Sequence, residues 1–424
     1  MGEATITLQD VDVLLGLRVD GDPVTGPDGI PQDPSEFCQR LFGFIPKIKK
    51  SKVSLISLHD HINTFNQSIP ATQFQALQRV RCFVAYLLAG SLFCDKRSTH
   101  VDMFLLTNIE DVHVCGSALL AQTYRELSTA TQFEARDIDA CGLLIHTWAW
   151  ERIARVRPEF RRGHVAPIVG LPLAARWSRY LKKTQVANHS LVAIRDQLSW
   201  LGPDDFDWTL YDERYNTLPD RCRAGHDIWG SVTYLHYYHI VEPHQANMVM
   251  RQFGLVQSIP SDPLLDRETQ RRLQALRRSW KSRNWAEKHA AYLDHWNMQA
   301  QYVVHGMPVG LVTVDNDYFD WYNRRTVHFV EDPGRRHRTT GYLGHTSVAR
   351  SMLGTLSRIF RRGGHQNDVY SNWTAEQITD TCLATGTQIS DPTIGSSEGY
   401  TQMNPSQGHD LPHARERAAR RRGH

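Results

Sequence analysis

Val241-Glu242-Pro243-His244, followed by Met250-Arg251-Gln252-Phe253-Gly254-Leu255-Val256-Gln257-Ser258-Ile259-Pro260, is the stretch on which the reading of this chain turns. It interleaves charged and amide side chains with apolar ones, so its polar groups must find partners wherever the segment is buried. Arg251 sits between apolar neighbours. Its burial would be costly alone, so it is expected to pair with a carboxylate, Glu242 being one candidate, or with backbone carbonyls.

Outward from this block the pattern is mainly helical. Upstream, Phe74, Leu77, Val80, Val84, Leu87 and Leu88 form one apolar stripe at helical spacing. Leu119, Leu120, Thr123, Tyr124 and Leu127 form a second, and Ile138, Cys141, Leu144, Ile145 and Trp148 a third. Three such helices each need a partner, which predicts a bundle. Thr7-Leu8-Gln9-Asp10 has the form of a capping box opening a short helix that runs to Gly16, and Leu17 to Gly26 suits a hairpin or tight loop. Strand signals are confined to Val232–Val241 and the shorter Val309–Val314.

These elements predict one large, mainly α domain over residues 1–330 with a few short strands, whose core holds Trp148, Trp150, Phe253, Trp296 and Trp321. Residues 331–385 read as a partly ordered extension. Residues 386–424, rich in Gly, Ser, Thr, Pro and Gln, read as a disordered basic tail, because they cannot offset chain entropy by burial. No repeat of 20–50 residues is apparent, which argues against a solenoid.

Composition places the chain among ordinary globular proteins, with 41% apolar and 22% charged residues and a net charge of +3 over 424 residues. The apolar run from Cys82 to Cys94 is shorter than the ~20 residues that span a bilayer and reads as a buried helix. No basic-then-apolar leader opens the sequence, so an intracellular protein with no membrane partner is expected. Cys38, Cys82, Cys94, Cys115, Cys141, Cys222 and Cys382 include no Cys-x-x-Cys pair and read as buried, reduced thiols.

Catalytic signatures are sparse. His59-Asp60-His61, and His236 and His239 with Glu242 and His244, resemble metal-ligand clusters. With 21 histidines such spacings arise by chance, and residues i and i+3 of a strand face opposite ways. Asp205, Asp207, Asp315, Asp317 and Glu242 could be combined into a two-metal set, yet they sit in turn-like sequence that equally suits loops and caps. No phosphate loop, dinucleotide fingerprint, nucleophile elbow or zinc-protease helix is present. The sequence therefore implies no cofactor, no metal and no catalytic residue.

Electrostatics supplies one feature. Arg267 to Lys288 reads as an amphipathic helix whose basic face carries Arg271, Arg272, Arg277, Arg278, Lys281 and Arg283, with Trp280 or Trp285 available for stacking. Such a face could track nucleic-acid phosphates without base specificity. The plainer alternative is a solvated helix face whose aromatics belong to the core. Arg415, Arg417, Arg420, Arg421 and Arg422 form a second basic group that suits a nuclear address.

The opening block resembles the signature of the plant mobile domain family, a Val-Glu-Trp-His run followed by Arg-Gln-Phe-Gly-Leu and Ile-Pro. Gly116-Ser117-Ala118, Tyr124-Arg125-Glu126-Leu127, Trp148-Ala149-Trp150-Glu151-Arg152 and Trp321-Tyr322 are similar to its other motifs, in order, from about residue 2 to residue 330. Three departures stand out. Cys115 and Pro243 replace two tryptophans, and the family's usual opening segment does not precede residue 2, which implies an N-terminally truncated, transposon-borne copy.

The resemblance implies structural roles for Trp148, Trp150, Glu151, Arg152, Glu242, His244, Arg251, Gln252, Phe253 and Gly254. It also implies a non-enzymatic nuclear protein concerned with transposon silencing, genome integrity or meristem development through protein partners and chromatin. Some family relatives carry a metallophosphatase domain or an aminotransferase-like label. This chain lacks the Gly-Asn-His-Glu type of metal run and an identifiable cofactor lysine. The competing expectation is a transposon-derived, metal-dependent nuclease or other phosphoryl-transfer enzyme.

Overall fold

A computed structural model describes residues 2–26, 31–65, 69–93, 99–109, 116–132, 135, 138–157, 166–178, 198, 201–276 and 284–326. All of them belong to one unit, Met1–His337; a second unit, Arg338–His424, lies outside the described residues, as do the expected extension and tail. The helices are α1 (Leu8–Leu15), α2 (Pro34–Phe42), α3 (Leu55–Asn63), α4 (Gln73–Leu87), α5 (Met103–Leu106), α6 (Gly116–Ala130), α7 (Gly142–Arg152), α8 (Arg267–Ala275), α9 (Trp285–Lys288), α10 (Ala290–Asn297) and α11 (Tyr318–Arg325). Strands β1 (Ile48–Lys49), β2 (Lys52–Ser54) and β3 (His100–Asp102) make a small antiparallel sheet, and β4 (Val232–Tyr237) pairs with β5 (Ile240–Gln245) in a hairpin. The fold is mainly α with a few short strands.

The centre of the unit is α1. Thr7 and Asp10 form the expected capping box, and Gly16 ends the helix in the left-handed conformation. Every residue from Leu8 to Leu14 is buried, Gln9, Asp10 and Asp12 included. An eight-residue helix would be marginal alone, so α1 depends on what encloses it. The start of α6 comes closest: a Cβ at Gly116 would stand 2.8 Å from Val11 and 2.9 Å from the carbonyl oxygens of Leu17 and Arg18. Only glycine fits there. Helix α6 continues across the β4–β5 hairpin, α10 packs on β4, and α7 lies against α1.

Several expectations need correction. Residues 232–241 are not one strand: β4 turns at Tyr238, whose φ is +52°, and returns as β5 with Tyr237 opposite Ile240. Of the two forms expected for residues 17–26, the loop is the one found, with no hairpin and a single parallel bridge, Val24 to Tyr237. Residues 309–314 form no strand, meeting their neighbours only through isolated bridges such as Gln257 to Val314.

The first apolar stripe is only partly buried: Leu88 is in the core and Val84 packs against it, but most of the rest of the stripe turns outward. Phe74, Val80 and Leu87 on α4 are 54%, 45% and 51% exposed, while Gln78, Cys82 and Ala85 face inward. The reason is a close packing of α4 on α2. Gln78 donates to the Arg40 carbonyl at 3.1 Å, and the Cys82 thiol faces the Phe42 carbonyl, so small and polar side chains fit where large ones would not. The second stripe is buried as expected at Leu119, Leu120 and Thr123. In the third, Ile138 precedes the helix and is exposed.

Of the five expected core aromatics, Trp150 and Trp296 are buried, whereas Trp148, Phe253 and Trp321 are half-buried. Cys38, Cys82, Cys141 and Cys222 are buried free thiols, and desolvation pushes Cys38 and Cys82 up to about 12; Cys94, Cys115 and Cys382 lie outside the described residues. No helix among the described residues is long and apolar enough to cross a membrane.

Candidate functional site

Asp10, fully buried on α1, is the hub of a polar network. The amide and hydroxyl of Thr7 both donate to its Oδ2 at 2.8 Å. Its Oδ1 accepts from Arg152 Nε at 3.0 Å and Nη2 at 2.8 Å, and from the Tyr211 hydroxyl at 2.7 Å. Arg152, at the end of α7 and also fully buried, spends its remaining donors on the carbonyls of Asp207 and Trp208. A buried ion pair survives only when such extra bonds satisfy the leftover donors and acceptors. Next along α7, buried Glu151 pairs with Arg176, accepts from Trp177 Nε1 at 2.6 Å and lies 3.7 Å from Arg214. Trp150 packs its ring against His146 and Trp177.

The block around residues 241–257 clamps the same helix. Residues i and i+2 of a strand share a face, so Glu242 and His244 on β5 point the same way. Glu242 pairs with Arg125 of α6, not with Arg251. Arg125 also reaches the carbonyls of Leu273 and Val241, at 3.4 and 3.5 Å. His244 bridges Ser231 and α1, with Nδ1 donating to the Ser231 carbonyl at 2.6 Å and Nε2 accepting from the Leu8 amide at 3.4 Å. Burial pushes its pKa down to about 4, so the ring is neutral at pH 7.

Gln252 brackets Thr5 as a second strand would: its Oε1 accepts from the Thr5 amide at 2.8 Å and its Nε2 donates to the Thr5 carbonyl at 2.9 Å. Gly254 ends the Met250–Phe253 turn at a φ of +70°, a conformation glycine adopts at low cost. Arg251 lays its guanidinium over the Trp208 ring, 3.7 Å from the centroid, and desolvation lowers its pKa.

Beside the hub opens a cleft of about 390 Å³. Gln9, Tyr211, Trp229 and Phe253 form its inner wall, and Asp212, Tyr215, Asn216 and His226 its mouth. Below it, Asp12 Oδ2 accepts from Trp229 Nε1 and the Gly225 amide, both at 2.9 Å, while its buried Oδ1 has no partner. Desolvation raises the Asp12 pKa to about 6.

The other candidate groups do not converge. No set of three or more His, Cys, Asp or Glu side chains among the described residues is placed to hold a metal. Asp205 caps Gly202 at 2.7 Å and pairs with Arg155, and Glu242 is taken by Arg125. His61 stacks on Phe44, while His236 is buried on β4 and His239 sits in the turn after it. The expected basic helix is interrupted: α8 ends as Leu276 turns extended, and α9 begins afresh with the Asn284 side chain accepting from the Glu287 amide at 3.0 Å. Arg271 and Arg272 are exposed on α8; Arg277, Arg278, Trp280, Lys281 and Arg283 lie outside the described residues. Trp285 is 2% exposed and unavailable for stacking on a ligand.

The plant mobile domain family matches residues 1–323. The chain belongs to that family. Among relatives from Arabidopsis thaliana, it is 32% identical to a serine/threonine-protein phosphatase 7 long form homolog over 79% of this chain and 26% of the relative. It is 27% identical to Protein MAIN-LIKE 1, covering 77% of this chain and 62% of the relative, and 28% identical to Protein MAINTENANCE OF MERISTEMS, covering 62% and 54%. The chain thus spans less than two thirds of the length of each. No solved structure matches it.

In this plant mobile domain His244, Arg152 and Gln252 hold α1 and the residues leading into it, Glu242, Glu151 and Arg251 are taken by Arg125, Arg176 and Trp208, and Phe253 lines the cleft. The substitution at Pro243 falls on the face of β5 opposite to Glu242 and His244, across from Tyr234. Sequence reasoning gave Asp10 its place in the capping box but missed its pairing with Arg152 and Tyr211, and it missed the roles of Asp12 and Arg125. Two carboxylates two residues apart in an otherwise apolar helix were the available signal, because both must be buried with partners.

Proposed function

We propose that this chain is a non-enzymatic nuclear protein, transposon-derived, that serves transposon silencing, genome integrity or meristem development by binding protein partners and chromatin. The observation that carries this reading is the saturation of its signature polar groups. Arg152, Glu242, His244 and Gln252 are at most 2% exposed and bonded within the fold. A general acid or base must come within ~2.6–3.2 Å of its substrate, and these groups serve the fold instead. Support for a developmental setting comes from the relative named for the maintenance of meristems. Exposed Arg271 and Arg272, with the further basic residues to residue 283, support phosphate contacts without base readout.

A tagged chain expressed in plant cells should concentrate in nuclei and co-purify a reproducible set of nuclear proteins by mass spectrometry. Cytoplasmic residence, or metal-dependent cleavage of DNA or RNA by the purified chain, would overturn the reading.

A further inference from the structure

The cleft beside α1 has the walls of a cation site. Tyr215, His226 and Trp229 stand nearly perpendicular to one another, at interplanar angles of 64°, 78° and 66° and centroid separations of 5.1, 6.1 and 5.0 Å. Tyr211 and Phe253 extend the aromatic wall. The three rings pack edge to face on one another, and each also lines the cleft. Asp212 supplies a carboxylate at the mouth, and neither lysine nor arginine lines the cleft. Arg223, the nearby cation over Tyr215, is already tied to Asp220.

One buried group there lacks a partner that a ligand could provide, and one exposed carboxylate stands beside it. Gln9 is 6% exposed, lines the cleft, and has an Oε1 with no hydrogen-bond partner. A half-turn of its carboxamide presents either an acceptor or a donor to the cleft. Desolvation, aided by the neighbouring Asp207 carboxylate, holds the Asp212 pKa above the usual range, a strain that a bound cation relieves. The cavity volume lies at the small end of the ~300–1,000 Å³ typical of ligand sites.

We propose that this cleft binds the methylated ammonium group of a lysine side chain on a protein partner, with dimethyl-lysine preferred. Methyl groups spread the charge and fit against aromatic faces, which attract cations lying within ~6 Å of the ring centroid. A dimethylammonium keeps one N–H, which the Gln9 carboxamide or Asp212 accepts; a trimethylammonium has none. The exposed mouth, at Asp212, Asn216 and His226, leaves a path for the lysine stem and its peptide. This deepens the interaction reading above by naming the chemistry of the partner.

The test is a titration of the full chain, followed by tryptophan fluorescence and calorimetry, with one neutral peptide bearing a single lysine in its unmethylated, mono-, di- and trimethylated forms. A carbon isostere, with a neutral branched alkyl group in place of the dimethylammonium, completes the set. Dimethyl-lysine should bind about tenfold more tightly than lysine or the isostere. Asp212→Asn should weaken it about fivefold, and Tyr215→Ala should abolish the preference while the thermal melt stays within a few degrees of wild type. Equal binding of all forms, or no binding at millimolar peptide, would overturn the proposal. So would binding of free dimethylethanolamine as tight as that of the peptide. The assay uses pure protein, so a cleft that fails leaves nuclear residence and co-purification to be judged separately.

Discussion

Asp10 and Arg152 place opposite charges in a fully buried site, where each depends on the other. Arg152→Met leaves the Asp10 carboxylate without its counter-charge and should cost about 3–5 kcal/mol in denaturant unfolding. Adding Asp10→Asn should recover part of that loss, because the residual amide still bonds Thr7 and Tyr211. An Asp12 variant should act in the opposite direction. The folded-state pKa of Asp12, about 6, exceeds an unfolded value near 3.8, so the folded protein prefers the protonated acid. Asp12 therefore weakens the fold fully above pH 6, and the penalty fades as pH falls towards 4. Asp12→Asn should stabilise the protein by about 1–2 kcal/mol at pH 7.5 and have little effect at pH 4. Thermal melts of both proteins at the two pH values provide the check.

At the scale of elements, α4 separates periodicity from burial. Its apolar stripe is visible in the sequence, but a stripe reports only that a helix is two-sided, and here the side holding Gln78, Cys82 and Ala85 meets α2. Phe74→Gln or Val80→Gln should change stability by less than about 0.5 kcal/mol. Cys82→Leu, which forces extra methylenes into the α2 contact, should cost about 1–3 kcal/mol; chemical denaturation distinguishes the two cases. Local grammar was the most legible part of this chain. The capping box at Thr7 and the end of α1 at Gly16 follow from neighbouring residues alone. The hairpin at Tyr238 was not legible, because a non-glycine turn residue with positive φ carries no sequence mark and the flanking strands run together as one apolar stretch. The candidate site was legible as a set of motif residues. Their pairing was not, since Glu242 with Arg125 joins elements 117 residues apart.

For the whole molecule, buried histidines set the acid limit. His236, His244 and His289 are each pushed down to about 4, chiefly by desolvation. Their unfolded value is near 6.5. Below that pH the unfolded chain takes up protons that the folded protein refuses, so stability is complete above pH 6.5 and falls as pH drops towards 4. At pH 5.5 each histidine should cost about 1 kcal/mol, and the easing at Asp12 offsets only part of the sum. Urea midpoints should decline steeply between pH 6.5 and 5, a trend that His236→Phe should flatten. The clamp on α1 has a consequence for synthesis. Thr5 is held by Gln252, Leu8 by His244, and Asp10 by Arg152 and Tyr211. Helix α1 therefore waits for the last of these partners, and at ~5–20 residues per second the interval between Thr5 and Gln252 is roughly 12–50 s. During that time α6 and α7 can already pack on α1, with Arg152 on Asp10, but the Leu8 amide and the backbone of Thr5 gain their side-chain partners only once His244 and Gln252 have emerged.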